Sequence, residues 1–146
     1  TLDTCEVYVS PYEDGTNFWT NGFNTGLGFE NNPVDLTGFK YLNIEAYSPD
    51  CGANIICMDA WTASNPTERG GRYEISYMSD SSRVYQSVWG TNNDIWYDWD
   101  STLQQNVEKK STSNILNYIC IFTNNTDQDD REATVYVKRV WATNEE

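Results

Sequence analysis

Between Asp94 and Asp100 the chain reads Asp-Ile-Trp-Tyr-Asp-Trp-Asp, three rings and three carboxylates in seven residues. Neither a dry core nor an ordinary polar loop has that composition. A core strand would carry Asp94, Asp98 and Asp100 without partners, and buried unpaired carboxylates are very costly. An ordinary loop would leave Trp96, Tyr97 and Trp99 in water, although each such ring buries a large apolar area when it packs. Both halves fit a half-open cleft, where flat rings meet a flat ligand and nearby oxygens accept its hydroxyl hydrogens. Sugars have that character: their axial C–H faces are apolar, and their equatorial hydroxyls form a polar rim.

Other residues fit the same chemistry. Asp59 and Trp61 share one face of a predicted strand whose other face carries Ile56, Met58 and Ala60. Trp89 and Tyr85 fall opposite Val84 and Val88, just before Gly90, and Gln86 offers an amide to a hydroxyl. The candidate carbohydrate-binding residues are therefore Trp61, Trp89, Trp96, Trp99, Tyr97, Tyr85, Asp59 and Gln86. Packing is the plain alternative: Trp61 as a core ring at a strand end, Trp89 as edge cover. Trp96 and Trp99 differ in parity, so one regular strand cannot turn both to the same side. Trp19 and Trp141, near the terminal strands, read as packing rings, with Trp141 sealing the core. Tyr73 and Tyr77 read as core, and Tyr41 and Tyr47 as exposed on the sheet.

Catalysis needs more than these residues offer. A glycosidase holds two carboxyls about 5–5.5 Å apart for retention, or 6.5–9.5 Å apart for inversion. Asp59, Asp94, Asp98, Asp100 and Glu45 are candidates, but 22 acidic residues make chance pairs inevitable. Nucleophilic serine or cysteine chemistry usually recruits a histidine base, and the chain has no histidine. A chain of 146 residues is also small for a cleft holding several sugars and an acid pair. No catalytic residue is expected; a small jelly-roll glycoside hydrolase is the enzymatic alternative. A third class is an aromatic-rich protein-interaction or adhesion domain, because Tyr and Trp dominate interface hot spots.

Charge narrows the partners. A net charge of −13 argues against nucleic acid, which needs clustered Lys and Arg, and equally against anionic membrane surfaces and acidic polymers. A neutral polymer is compatible. No run reaches the roughly 18 apolar residues of a membrane span. Thr1 to Glu13 lacks the basic start and apolar stretch of a signal peptide, so an export signal would lie outside this sequence. Cys5, Cys51, Cys57 and Cys120 have no metal-ligand spacing, so no metal site is expected. Disulfides and buried free thiols both fit.

The elements that position these residues are strands. Period-two alternation runs through 39–48, where Leu42, Ile44 and Ala46 take one face, and Tyr41, Asn43, Glu45 and Tyr47 the other. Further strands are predicted at 5–9, 54–61, 72–79, 83–89, 95–99, 115–123 and 133–142, with a short bulged strand inside 21–30 and a helical turn or two at 103–110. Turn signals such as Pro49-Asp50-Cys51-Gly52 separate them. The length suits one domain, 1–146. Short strands with regular turns predict an all-β, antiparallel β-sandwich, a jelly roll.

The phrase Asp35-Leu36-Thr37-Gly38-Phe39-Lys40-Tyr41-Leu42-Asn43-Ile44 resembles a strand of many β-jelly-roll carbohydrate-binding modules. Ala133-Thr134-Val135-Tyr136-Val137-Lys138-Arg139-Val140-Trp141 is similar to their closing strand. The nearest likeness is to modules of gut and rumen bacterial plant-cell-wall hydrolases, in family 65 or a ruminococcal β-glucan-binding family. That resemblance implies a secreted, non-catalytic module that binds β-1,4-glucans, including xyloglucan, and is tethered to a catalytic domain. Such modules often hold a structural calcium, and Asn124 to Asp130 has a hard-cation composition. The Asp-x-Asp-x-Asp-Gly loop is missing, however, and an acidic hairpin tip is usually only solvated; no cofactor is expected.

Overall fold

The computed structural model describes residues 3–20, 25–29, 32–49, 53–58, 73–75, 78–88, 95–110, 115–116, 118–123 and 133–145. These form strands β1 (Thr4–Val9), β2 (Thr16–Thr20), β3 (Thr25–Gly28), β4 (Val34–Asp35), β5 (Tyr41–Tyr47), β6 (Ala53–Met58) and β7 (Tyr73–Ile75). There follow β8 (Arg83–Val88), β9 (Ile95–Asp100), β10 (Gln105–Lys110), β11 (Ile115–Leu116), β12 (Tyr118–Thr123) and β13 (Ala133–Thr143). Every pairing is antiparallel. Among the described residues there is no helix. The chain is all-β, as its alternation predicts.

One sheet has the order β1-β13-β5-β8, with β2 also on β13; a second runs β3-β12-β6-β7. The pairs β4–β11 and β9–β10 stand as two-stranded ribbons. Leu42, Ile44 and Ala46 of β5 are fully buried beside Val135, Val137, Val140 and Ala142 of β13. The same cluster takes Ile119 from β12, with Leu27 of β3 packed against it, so both sheets feed one core. Burying an aliphatic side chain of this size contributes about 1.5–3 kcal/mol.

β13 is not regular. Its register against β5 shifts between Val137 and Arg139, so Lys138 is the extra residue of a bulge. Without that bulge, the alternation begun by Val135 and Val137 would carry Arg139 and Trp141 into the core. With it, Val140 and Ala142 go in, and Trp141 emerges half-buried on the other face. The expectation that Trp141 seals the core is corrected on that ground.

β1 and β2 lie one after the other along the same side of β13, pairing with 139–143 and 133–137 respectively. They read as one edge strand interrupted at 10–15. Ser10 N–H donates to Lys138 O at 2.8 Å, and Gly15 N–H to Tyr12 O at 3.0 Å. Thr16 Oγ1 hydrogen-bonds both the Tyr8 hydroxyl and Ser10 Oγ, the latter at 3.2 Å. Gly15 adopts φ +91°, and a Cβ there would lie 2.9 Å from Val137 O. Only glycine suits that return onto β13. Gly38, at φ +88°, turns Leu36 into Phe39, whose N–H donates to Leu36 O at 3.1 Å; space around it is open.

Two further expectations change. The predicted helical turns at 103–110 are a turn followed by strand β10, because the hairpin partner β9 overrides the helix preference of the Glu and Lys residues there. The predicted strand 72–79 is described as strand only over Tyr73–Ile75, while Met78 is buried beyond it. Tyr77 lies outside the described residues.

Candidate functional site

The ribbon β9–β10 carries the acid-rich aromatic motif. Asp100 Oδ1 accepts the N–H groups of Thr102 at 2.8 Å and Leu103 at 3.0 Å, an aspartate side chain mimicking a backbone turn. Gln104 takes φ 54°, the left-handed position that closes the turn, and its Nε2 donates to Ser101 O at 2.7 Å. Regular pairing follows: Gln105 opposite Asp100, Asn106 opposite Trp99, Val107 opposite Asp98, Glu108 opposite Tyr97, and Lys109 opposite Trp96.

With no bulge in that register, successive positions alternate between faces. Position 99 shares its face with 97, 106 and 108, whereas 96, 98 and 100 lie on the reverse with 105, 107 and 109. The carboxylates that flank Trp99 in sequence are therefore behind it in the ribbon. Trp99 is 60% exposed. Asn106, directly across, is also exposed.

The outer face of the large sheet is aromatic too, but apart from Trp19 on β2, 52% exposed, its described rings are occupied. The Arg139 guanidinium lies 4.2 Å from the Trp141 ring centroid. It is held there by a two-pronged ion pair with Glu6, one prong being Nε to Oε2 at 3.0 Å. That hydrogen-bonded carboxylate raises the Arg139 pKa further, so its charge is fixed. Tyr47 and Tyr136 stack at 4.9 Å and 15°, with Lys138 Nζ 6.0 Å from the Tyr47 centroid. Desolvation raises the Tyr47 pKa, helped by the charges of Asp14 and Tyr136. Directly across from Trp141 on β5, Asn43 is only 2% exposed, yet its amide is satisfied. Nδ2 donates to Trp141 O at 3.3 Å and Thr143 Oγ1 at 3.0 Å, and Oδ1 accepts from Gln86 Nε2 at 2.7 Å.

Of the sequence candidates, Trp61, Asp59 and Trp89 lie outside the described residues. Trp96 and Tyr97 belong to β9, where only the backbone is described. Trp99 is exposed, as a platform requires. Tyr85 turns the other way from the sequence expectation: its half-buried ring packs against the core with Arg83 5.2 Å from its centroid. Its hydroxyl accepts the Ser79 N–H at 2.7 Å. Val84 and Val88, at 50% and 51% exposure, take the open face instead. Gln86 is on that face, but its amide is engaged by Asn43 and by Glu145 O at 3.2 Å.

The alternation assigned to β6 also inverts. Its register sets Cys57 opposite Ile119 and Ile55 opposite Ile121. Ile119 is a core residue, so positions 55 and 57 share the core side, not 56 and 58. The face assignment of Asp59 and Trp61 rested on that alternation and loses its support. Cys5 is a free, half-buried thiol.

Sequence reading missed Asn106, Asn43 and the Arg139–Trp141 stack, each of which depends on cross-strand register. It also assigned Trp19 to packing; on β2 that ring is 52% exposed, opposite Thr134. Asn124 to Asp130, the hard-cation stretch, lies outside the described residues.

Comparison with known proteins adds no relative: no protein-family model, no curated protein and no solved structure matches the chain.

Proposed function

We propose that this chain is a non-catalytic carbohydrate-binding module with a jelly-roll sandwich fold, secreted as part of a plant-cell-wall-degrading enzyme. Its ligand in this reading is a neutral β-1,4-linked polysaccharide such as β-glucan, xyloglucan or a related hemicellulose, and its role is to hold an appended glycoside hydrolase on that substrate. The observation that carries the reading is Trp99, 60% exposed on the β9–β10 hairpin. Among the described residues, neither a second ring nor a cation covers it, unlike Trp141, Tyr47, Tyr136, Tyr41 and Tyr85. The net charge of −13 favours a neutral partner, and the two antiparallel sheets feeding one core are compatible with a jelly roll.

Magnitude sets a condition. If a sugar covers one face of that ring, roughly 75 Å² leaves water, worth about 2 kcal/mol at ~25 cal/mol per Å². A millimolar complex needs about 4.1 kcal/mol. One platform is therefore not enough, and Trp19, the other half-exposed tryptophan described, is available on the large sheet.

Native gel retardation and calorimetric titration with xyloglucan, barley β-glucan and cello-oligosaccharides test the reading. Trp99→Ala should weaken binding strongly while leaving the melting temperature within about 2 °C. Trp141→Ala should keep the ligand and lose about 1–2 kcal/mol of stability, from a half-buried ring and its cation contact. Binding lost with Trp141→Ala and kept with Trp99→Ala would move the site to the sheet. Leu103, 58% exposed at the tip of the same hairpin, favours a second reading, a protein-interaction domain. Failure of every glycan to bind would leave that one standing.

A further inference from the structure

We propose that Asn106, and not the aspartates that flank Trp99 in sequence, reads the hydroxyls of the sugar stacked on that ring; the inference rests on the carbohydrate-binding reading above. Asn106 faces Trp99 directly across the ribbon, where opposed Cβ atoms lie about 4.5–5.5 Å apart. Position 98 and position 100 are on the reverse face. The Asp100 carboxylate is in any case spent on the N–H groups of Thr102 and Leu103, where it holds the hairpin turn.

The chemistry of the amide fits a sugar rim better than a carboxylate does. An asparagine side chain presents a donor group and an acceptor, so it can receive one hydroxyl proton and donate to the neighbouring hydroxyl oxygen. A carboxylate only accepts. Asn106 is exposed, and among the described residues its side chain makes no hydrogen bond, in contrast to Asn43 and Gln86, whose amides are bound to one another. Pairing with a ligand therefore breaks no internal contact.

The same face fixes the class of sugar. Glu108 follows Asn106 on that side of β10, opposite position 97, and it is exposed. A uronate stacked on Trp99 would bring a second carboxylate toward it, and like charges at such spacing repel. The subsite accordingly takes a neutral pyranose with adjacent hydroxyls and rejects its uronic acid counterpart.

Calorimetric titration of the full chain with cellohexaose and with a pectic hexagalacturonide tests this. Asn106→Ala should weaken cellohexaose about three- to tenfold, the range that one net hydrogen bond gives. The melting temperature should not change, and Asp98→Asn should bind within twofold of the parent. Asn106→Asp, which keeps the shape and removes the donor, should lose binding at least as far. Glu108→Gln should narrow the preference for cellohexaose over the galacturonide. If Asn106→Ala binds like the parent, or if Asp98→Asn loses more, the assignment is overturned while glycan binding by Trp99 stands. If the unmodified chain binds cellohexaose but Trp99→Ala does too, the hairpin subsite itself is wrong. No binding of any glycan by the unmodified chain removes both readings together.

Discussion

Gly15 and Gly38 form a natural pair for measuring how tightly the interrupted edge strand is held. Their φ angles are nearly equal, +91° and +88°, but their surroundings differ. An alanine at either position meets the left-handed penalty of about 1–2 kcal/mol, offset by about 0.4–1 kcal/mol through a less flexible unfolded chain. At Gly38 nothing lies within 4 Å of the added carbon, so that balance is the whole effect. At Gly15 the carbon would meet Val137 O at 2.9 Å and Val137 C at 3.1 Å. Those are backbone atoms next to the bulge, and they cannot rotate away. Forced overpacking costs a further 1–3 kcal/mol or so. Gly38→Ala should therefore cost about 1 kcal/mol or less, and Gly15→Ala about 2–4 kcal/mol. At roughly 3 °C per kcal/mol for a chain of this size, the second variant should melt about 6–12 °C below the parent. Thermal denaturation followed by far-ultraviolet circular dichroism reads both. Equal losses, or a larger loss at Gly38, would refute the close approach of residue 15 to β13.

Two other outcomes follow from the fold. Ile44→Ala empties a fully buried site and should cost about 2–5 kcal/mol, whereas Val84→Ala, on the open face of β8, should stay within about 0.5 kcal/mol; urea titrations compare them, and a large loss at Val84 would reverse the facing of β8. The Asp35 carboxylate is held below its usual pKa by the side-chain and backbone hydrogen bonds from Thr37. Its contribution is thus present above the unfolded value of about 3.9 and fades as pH falls through the lower folded value. The melting-temperature gap between the parent and Asp35→Asn should be small at neutral pH, because the group is exposed, and should close in acid. A gap that widens below pH 4 would contradict the cause.

β5 was legible in the sequence through its aliphatic face, Leu42, Ile44 and Ala46, but its other face is not the open one expected: Tyr41, read as exposed, is buried at 6% exposure under Lys40, and Asn43 at 2%. Most other strands could be located, but their facing could not. In β6, Ile55 and Ile56 are adjacent aliphatics, so either parity offers a core face, and only the register with Ile119 decides. In β8, Val84 and Val88 satisfy the pleat through β-branching while standing in solvent. The bulge at Lys138 left no mark in composition, yet it decides where Trp141 goes. The candidate site was legible as a composition and not as a geometry. Asp94 to Asp100 reads as one mixed cluster, but strand alternation splits its described part, Ile95–Asp100, between two faces and brings in Asn106 from the partner strand.

The break between β1 and β2 also bears on how the protein behaves at high concentration. Among the described residues both strands take ladder pairing only from β13, and the outer side of β1 presents backbone groups that a second copy of the chain can pair with. An unbroken strand there would be a long, flat template for intermolecular association. The excursion at 10–15 cuts it into two short pieces and lifts Tyr12, Glu13 and Asp14 out between them. Any incoming strand meets two acidic groups where it would need a continuous run of N–H and C=O partners. The glycine that permits the return to β13 thereby serves solubility as well as folding.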